Sequence, residues 1–412
     1  MNFLNVYKCE LEIVYICNLI NIMMNYENVY ISNKQEKLLG RYITLEHIEP
    51  ILLELNTSNQ LQTIGFSVNK KPIYSYTIGF GKIKILMWSQ MHGNESTTTK
   101  AVFDLLNLLH SGSELANSLQ NNFTFCIIPM LNPDGAKLYT RENINRIDLN
   151  RDFKDLSQPE STILMSIFKE FNPNYCYNMH DQRTIYGAGN TAKPATVSFL
   201  APSYNQNRDF NETRFKAVAV IVAMNKVLQQ FIPEQIGRFD DEYNDNCAGD
   251  NFQKLGISTI LFEAGHFQCD YDREMTRKYI FIALLSGFLF LEQKKDNENV
   301  KNYEKYLRIP QNKLNFYDFI YKNVQISFDG IKKSINFAAQ YEEVLENNEI
   351  KFKSRIIKIG DLENSYGHVE FDAEDKQYSD KDGFEPKLDS TINFNIGSNI
   401  KIVNGVITNI SD

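Results

Sequence analysis

A histidine and a glutamate stand three residues apart in His92-Gly93-Asn94-Glu95, just past the apolar run Ile83–Ser89. Where a strand ends and the chain turns, such a pair can reach one ion. Imidazole nitrogen and carboxylate oxygen each bind Zn²⁺ at about 2.0–2.2 Å. In a chain of 412 residues with six histidines, the pair alone could be a surface turn. Its place beyond a buried strand, where α/β proteins put ligand sites, gives it weight. His180 follows a second apolar run, Tyr175–Met179, and precedes Asp181-Gln182-Arg183. A lone histidine there reads as structural. At an equivalent strand end it becomes a third ligand, and two histidines with one glutamate leave the open position that catalytic zinc requires.

Between these ligands runs a polar loop of about 25 residues, 132–156, too long for a mere connector. It carries Asn132-Pro133-Asp134-Gly135, then Arg141, Arg146 and Asp148-Leu149-Asn150-Arg151-Asp152-Phe153. Asn-Pro-Asp-Gly by itself is turn chemistry, and three arginines can form a solvated face. Beside a metal site, guanidinium groups can also fork onto a carboxylate. Downstream, Glu263 ends the apolar run Ile257–Phe262.

His-x-x-Glu at 92–95, Asn-Pro-Asp-Gly at 132–135, Asp-Leu-Asn-Arg at 148–151, His180 and Glu263 occur in one order over residues 60–295. Together they resemble the zinc carboxypeptidases of the carboxypeptidase A/B and regulatory types. The resemblance implies one Zn²⁺ held by His92, Glu95 and His180, with Asp148 orienting a ligand imidazole, that of His92. It further implies that Asn150 and Arg151 clamp the substrate's terminal carboxylate and that Arg141 polarises the scissile carbonyl. Glu263 matches the general base, and a carboxylate in a partly dry site can shuttle a proton. The activity implied is hydrolysis of a C-terminal peptide bond by a zinc-activated water, on a peptide or protein C-terminus.

Two positions depart from the family pattern. Its mobile tyrosine falls 22 residues before the base, where this chain has Asp241; Tyr243 takes the role if a short deletion is allowed. The residue that sets side-chain preference falls near Gly249, and neither it nor Ala248 marks a recognisable pocket; Asp250 is read as structural or as an attractor of basic side chains. Arg146 has no family counterpart and reads as surface, and His266 as a neighbour of the site or surface rather than a ligand. Two other readings stay open: a zinc deacylase of N-acyl amino acids, similar to aspartoacylases, and a non-catalytic binding protein working through its C-terminal part.

The elements that must position these residues follow from periodicity. Thr44–Leu55, Ser96–Leu109, Ser157–Phe171, Arg214–Phe231 and Arg273–Leu291 read as helices. Gln62–Val68 with Ile73–Phe80 reads as a hairpin, and Ile83–Ser89, Phe123–Leu131, Tyr175–Met179, Ala195–Leu200 and Ile257–Phe262 as buried strands. The alternation predicts an α/β fold, a mixed, mainly parallel twisted sheet with helices on both faces. Boundaries are expected at 1–24 for an N-terminal extension, 25–295 for the catalytic domain, 296–309 for a charged linker and 310–412 for a small β-rich domain.

A net charge of −8 argues against nucleic acid as partner. No run of ~18 apolar residues suggests an integral membrane segment. Ile13–Met24 is the nearest approach to a signal sequence, but Asn18 and Asn21 interrupt it; Met24 is an alternative start. Six cysteines without a Cys-x-x-Cys pair favour a reducing, cytoplasmic setting, with a Cys247–Cys269 bridge as the alternative.

Overall fold

The computed structural model describes residues 25–293, 299–328 and 330–409, so the extension expected over 1–24 lies outside the described residues. The chain divides into two compact units. The first ends at Gln182 and resumes over Thr196–Gln311; the second comprises Arg183–Ala195 and Asn312 onward.

In the first unit, a helix over 25–33 (α1) and α2 (Leu45–Leu55) lead to a hairpin of β1 (Leu61–Phe66) and β2 (Pro72–Ile78). Then come β3 (Ile83–Ser89), α3 (Thr97–His110), α4 (Glu114–Asn122), β4 (Phe123–Ile128), the short α5 (Pro133–Leu138), α6 (Pro159–Phe171) and β5 (Tyr175–Asp181). After β6 (Tyr186–Ala188), which belongs to the second unit, follow β7 (Val197–Leu200), α7 (Glu212–Leu228), β8 (Ile236–Arg238), α8 (Ala248–Lys254), β9 (Ser258–Ala264), α9 (Glu274–Glu292) and α10 (Asn299–Leu307). The sheet order is β1-β2-β4-β3-β5-β9-β7-β8. Its centre, β4-β3-β5-β9, is parallel, so four consecutive strands deliver their C-terminal ends to one edge.

The central strands are apolar on both faces because helices cover both. Ile85, Met87, Phe123, Phe125 and Tyr177 pack toward one helical layer, and Leu86, Trp88, Cys126 and Cys176 toward the other. Amphipathic spacing predicts only one buried stripe on α3, yet Lys100 and Asp104 on its charged side are buried as well. Partners explain this. Arg277 of α9 donates to both carboxylate oxygens of Asp104 at 2.7 and 2.6 Å, with both side chains fully covered. Removing one member of such a pair costs about 3–5 kcal/mol.

α10 occupies part of the stretch read as a linker over 296–309. Its charge hid a buried anchor: Tyr306 is fully covered, and its hydroxyl accepts from the Ala201 N–H at 3.1 Å. No helix among the described residues is long and apolar enough to cross a membrane.

The second unit is β-rich. β10 (Asn312–Leu314) pairs with β6. β11 (Phe316–Phe328), β12 (Ile331–Glu346), β13 (Glu349–Ile359) and β14 (Tyr366–Asp372) form a sheet in the order β13-β12-β11-β14. β15 (Tyr378–Ser379), β16 (Asn393–Ile396), β17 (Ile400–Val403) and β18 (Val406–Asn409) form another, around a core that includes Tyr321, Phe337 and Phe394.

Candidate active site

Two loops bring His92 and Glu95 into place. After β3 the chain turns through Gln90, whose φ of 46° is uncommon for a non-glycine residue. The Gln90 side chain holds that turn by donating to the carbonyls of Ile43 and Gly93, each at 2.8 Å. Gly93 has to be glycine: a Cβ there would stand 2.0 Å from the carbonyl carbon of Gly135. The Asn-Pro-Asp-Gly segment thus packs directly against the ligand loop. Asn132 caps α5 by accepting from the Gly135 N–H at 2.8 Å and donates to the Met91 carbonyl at 3.2 Å.

His180 and Glu263 read as lying just past their strands, but both lie within them. β5 runs to Asp181 and β9 to Ala264, and the two residues face each other in register. Parallel partners share a face, so both side chains project to the same side of the sheet. Asp181 extends the strand because its carboxylate closes the start of α3, accepting from the backbone N–H groups of Thr97 and Thr98 at 2.8 and 3.2 Å.

The result is a tight cluster. One donor atom each from His92, Glu95 and His180 lies within 4.8 Å of the others, and all three side chains are buried. The two Glu95 oxygens reach the Nδ1 atoms of His92 and His180, each at 2.8 Å, and those nitrogens are 3.1 Å apart. On the far side of its ring, His92 Nε2 donates to Asp148 at 3.0 Å. That bond directs the Nδ1 lone pair into the cluster. Two imidazole nitrogens and a carboxylate crowded on one point fit a divalent cation of the zinc type.

Arg141 bridges this arrangement, donating to Asp148 at 3.0 Å and Glu95 at 3.1 Å. Asn150 and Arg151 form a short 3₁₀ turn started by Asp148, which accepts the Asn150 N–H at 2.8 Å. Asn150 Oδ1 accepts from the Ala248 N–H at 3.0 Å, which leaves its amide N–H₂ for another partner. Arg151 is exposed and donates to Cys247 Sγ at 3.2 Å.

Residues 52–182 match the family model described as zinc carboxypeptidase. The match spans about a third of the chain, and over that stretch the chain is similar to the zinc carboxypeptidases. Carboxypeptidase SOL1 of Arabidopsis thaliana is 27% identical over 167 residues, 35% of this chain and 34% of the relative. Carboxypeptidase E of Caenorhabditis elegans is 28% identical over 177 residues, 34% of this chain and 37% of the relative. The chain therefore spans only about a third of each of these curated relatives. The crystal structure of carboxypeptidase A from Helicoverpa armigera is 15% identical, covers 67% of this chain and 81% of its own, and superposes with a TM-score of 0.50. That likeness extends the zinc carboxypeptidase fold beyond the sequence match.

Electrostatics divide the acids around this cluster into two groups. Burial opposes ionisation of Glu95 and Asp148, but His92 and His180 hold Glu95, and His92 and Arg141 hold Asp148, below the usual carboxylate range. Partly buried Glu263 goes the other way. Burial, then the charges of Glu95 and Asp181, push it well above that range.

The other predicted residues fall apart from the cluster. Tyr243 lines a cavity shared with Asn150 and Arg151, and Asp241, at the family's tyrosine offset, pairs with Arg214. Arg146 is exposed, while His266 is buried against Tyr271, with ring centroids 4.7 Å apart, and is no member of the cluster. Cys247 and Cys269 are free thiols, so the bridge considered as an alternative is not formed.

Sequence reasoning missed Gln90 and Asp181. Only the adjacency of an acid to His180 could have flagged the latter. Asp181→Ala should cost about 3 kcal/mol through two lost charge-assisted bonds and weaken zinc binding about 10- to 100-fold. Thermal melting and competition with a chromogenic chelator measure the two effects; an unchanged zinc affinity would confine Asp181 to capping α3.

Proposed function

We propose that this protein is a zinc-dependent carboxypeptidase that acts on the free C-terminus of a peptide or protein. The observation that carries the reading is the convergence of His92, Glu95 and His180, with Glu263 in register beside His180. When bound there, zinc supplies Lewis acidity, polarising a carbonyl oxygen and making water acidic near neutral pH.

The chain's own groups do the rest. Glu263 accepts a proton from the attacking water, whose oxygen bonds to the scissile carbonyl carbon. The carbon–nitrogen bond then breaks, and Glu263 returns the proton to the leaving amine, so that one water is consumed per bond cleaved. The Arg141 guanidinium stabilises negative charge gathering on the carbonyl oxygen. Asn150 and Arg151 hold the terminal carboxylate and so restrict cleavage to the last bond. Tyr243 borders the same cavity and would cover a bound residue.

Acylated dipeptides with free C-termini, the same peptides amidated, and N-acyl amino acids should be assayed with and without a chelator. Chelator-sensitive release of the last residue from the first set alone is the expected result. Preference for N-acyl amino acids would indicate a deacylase, and no turnover with stoichiometric zinc a binding protein. Arg151→Ala should raise KM for free C-termini by roughly 10- to 100-fold, the worth of a charged hydrogen bond. An equal loss on amidated peptides would argue against the clamp.

A further inference from the structure

Asn178 lies on β5 two residues before His180, and Leu261 opposite it lies two before Glu263. Side chains two apart on a strand share a face and stand about 6.6–7 Å apart. Both Asn178 and Leu261 line a cavity of about 500 Å³ that also takes in Asn150 and Arg151. That cavity therefore begins one pleat along from the metal cluster, beside the residues read as holding the terminal carboxylate.

Asn178 is fully covered, and among the described residues neither its Oδ1 nor its Nδ2 has a hydrogen-bond partner. Leaving one buried polar atom unpaired costs about 1–3 kcal/mol, and here both ends of an amide are bare. Gly249 stands next to the amide. A Cβ there would press on Pro202 at 3.1 Å and sit 3.8 Å from Asn178 Nδ2, so any longer side chain would close on the amide. Gly249, which by sequence leaves the preference undefined, does so by handing the choice to Asn178.

We infer that this cavity selects a C-terminal residue bearing a carboxamide, glutamine or asparagine, through paired hydrogen bonds with Asn178. The inference rests on the carboxypeptidase reading for the identity of the occupant. A carboxamide presents a donor for Oδ1 and an acceptor for Nδ2 side by side, which a single hydroxyl oxygen or the opposed nitrogens of a neutral imidazole do not. An ammonium or guanidinium would satisfy Oδ1 and strand Nδ2, and Asp250, the buried acid on the same cavity, already accepts the Asn244 N–H at 3.2 Å. A carboxylate would do the reverse, and would also pass the exposed Asp240 and Glu242 at the cavity's border. An aliphatic side chain would satisfy neither. Sites built around such bonds reject analogues that lack them far more strongly than apolar pockets reject a missing methylene.

Two measurements test this. In the first, N-acetylglutamine, N-acetylasparagine, N-acetylglutamate, N-acetyl-lysine and N-acetylnorleucine are titrated into the metal-free protein by calorimetry. In the second, kcat/KM is determined for acylated dipeptides ending in the same five residues, with the zinc-loaded protein. We expect a carboxamide to lead by at least tenfold in both. Asn178→Leu should bring the glutamine-to-norleucine ratio to about one. The near-isosteric Asn178→Asp should move the preference from glutamine to lysine, which keeps the test intact if the leucine variant fails to fold. A parent preference for lysine, glutamate or norleucine, or an Asn178→Asp variant with unchanged order, overturns the inference. Hydrolysis without carboxamide preference sinks this inference alone. Selective binding of N-acetylglutamine with no hydrolysis of any peptide upholds the cavity's selectivity and sinks the carboxypeptidase reading.

Discussion

Glu263→Gln should lower kcat about 10²- to 10⁴-fold, the usual contribution of a positioned acid–base group, while zinc remains bound in stoichiometric amount. The glutamine keeps the volume and cannot carry the proton. The same change should raise the stability of the metal-free protein at neutral pH. Burial and the charges of Glu95 and Asp181 raise the Glu263 pKa in the folded state, so that state holds its proton more tightly than the unfolded chain does. The stability this contributes is complete below the ordinary value of 4.5 and is lost as pH climbs toward the folded value. Melting curves in chelator at pH 5 and pH 8 should therefore show the variant's advantage growing with pH. A variant that turns over normally, or whose advantage is greatest at pH 5, would remove Glu263 from its role.

His180→Ala should abolish detectable turnover and weaken zinc affinity by several orders of magnitude. One of three protein ligands is lost, and Glu95 loses a partner at 2.8 Å. Added zinc should stabilise the parent against heat, because a ligand that binds only the folded state shifts the equilibrium toward it. The variant should show little of that shift. Calorimetric titration of zinc into both proteins decides the matter; equal affinities would mean that the ion sits elsewhere.

The parts of this molecule legible in the sequence are those where chemistry and periodicity coincide. The runs 83–89 and 175–179 announced buried strands, and ligands near their ends announced an edge where a site could form. Asp148 and Arg141 could be read only through the family resemblance, since an acid and an arginine in a loop say nothing alone of the His92 ring or Glu95. What escaped reading was everything set by close approach in three dimensions. Lys100 and Asp104 look like a solvated face, and only the distant Arg277 and Glu274 make their burial tolerable. β12 carries Lys332 and Lys333 toward one end, paired with β11, and Glu342 and Glu343 toward the other, paired with β13, because the backbone ladder forms whatever the charge of the side chains beside it. Gly93 seemed a turn residue; its need for the missing side chain becomes visible only against Gly135.

One residue beyond Asp181 begins a thirteen-residue excursion, Arg183–Ala195, that belongs to the second unit and contributes β6 to a pairing with β10. The C-terminal unit is thus no detachable tail. Cutting the gene after Gln311 would strip Tyr186–Ala188 of its neighbour and leave bare backbone amides within a few residues of His180. Anyone seeking a minimal stable fragment of this chain would have to redesign that excursion as well as shorten the protein, and a poorly behaved truncation would say nothing about the whole.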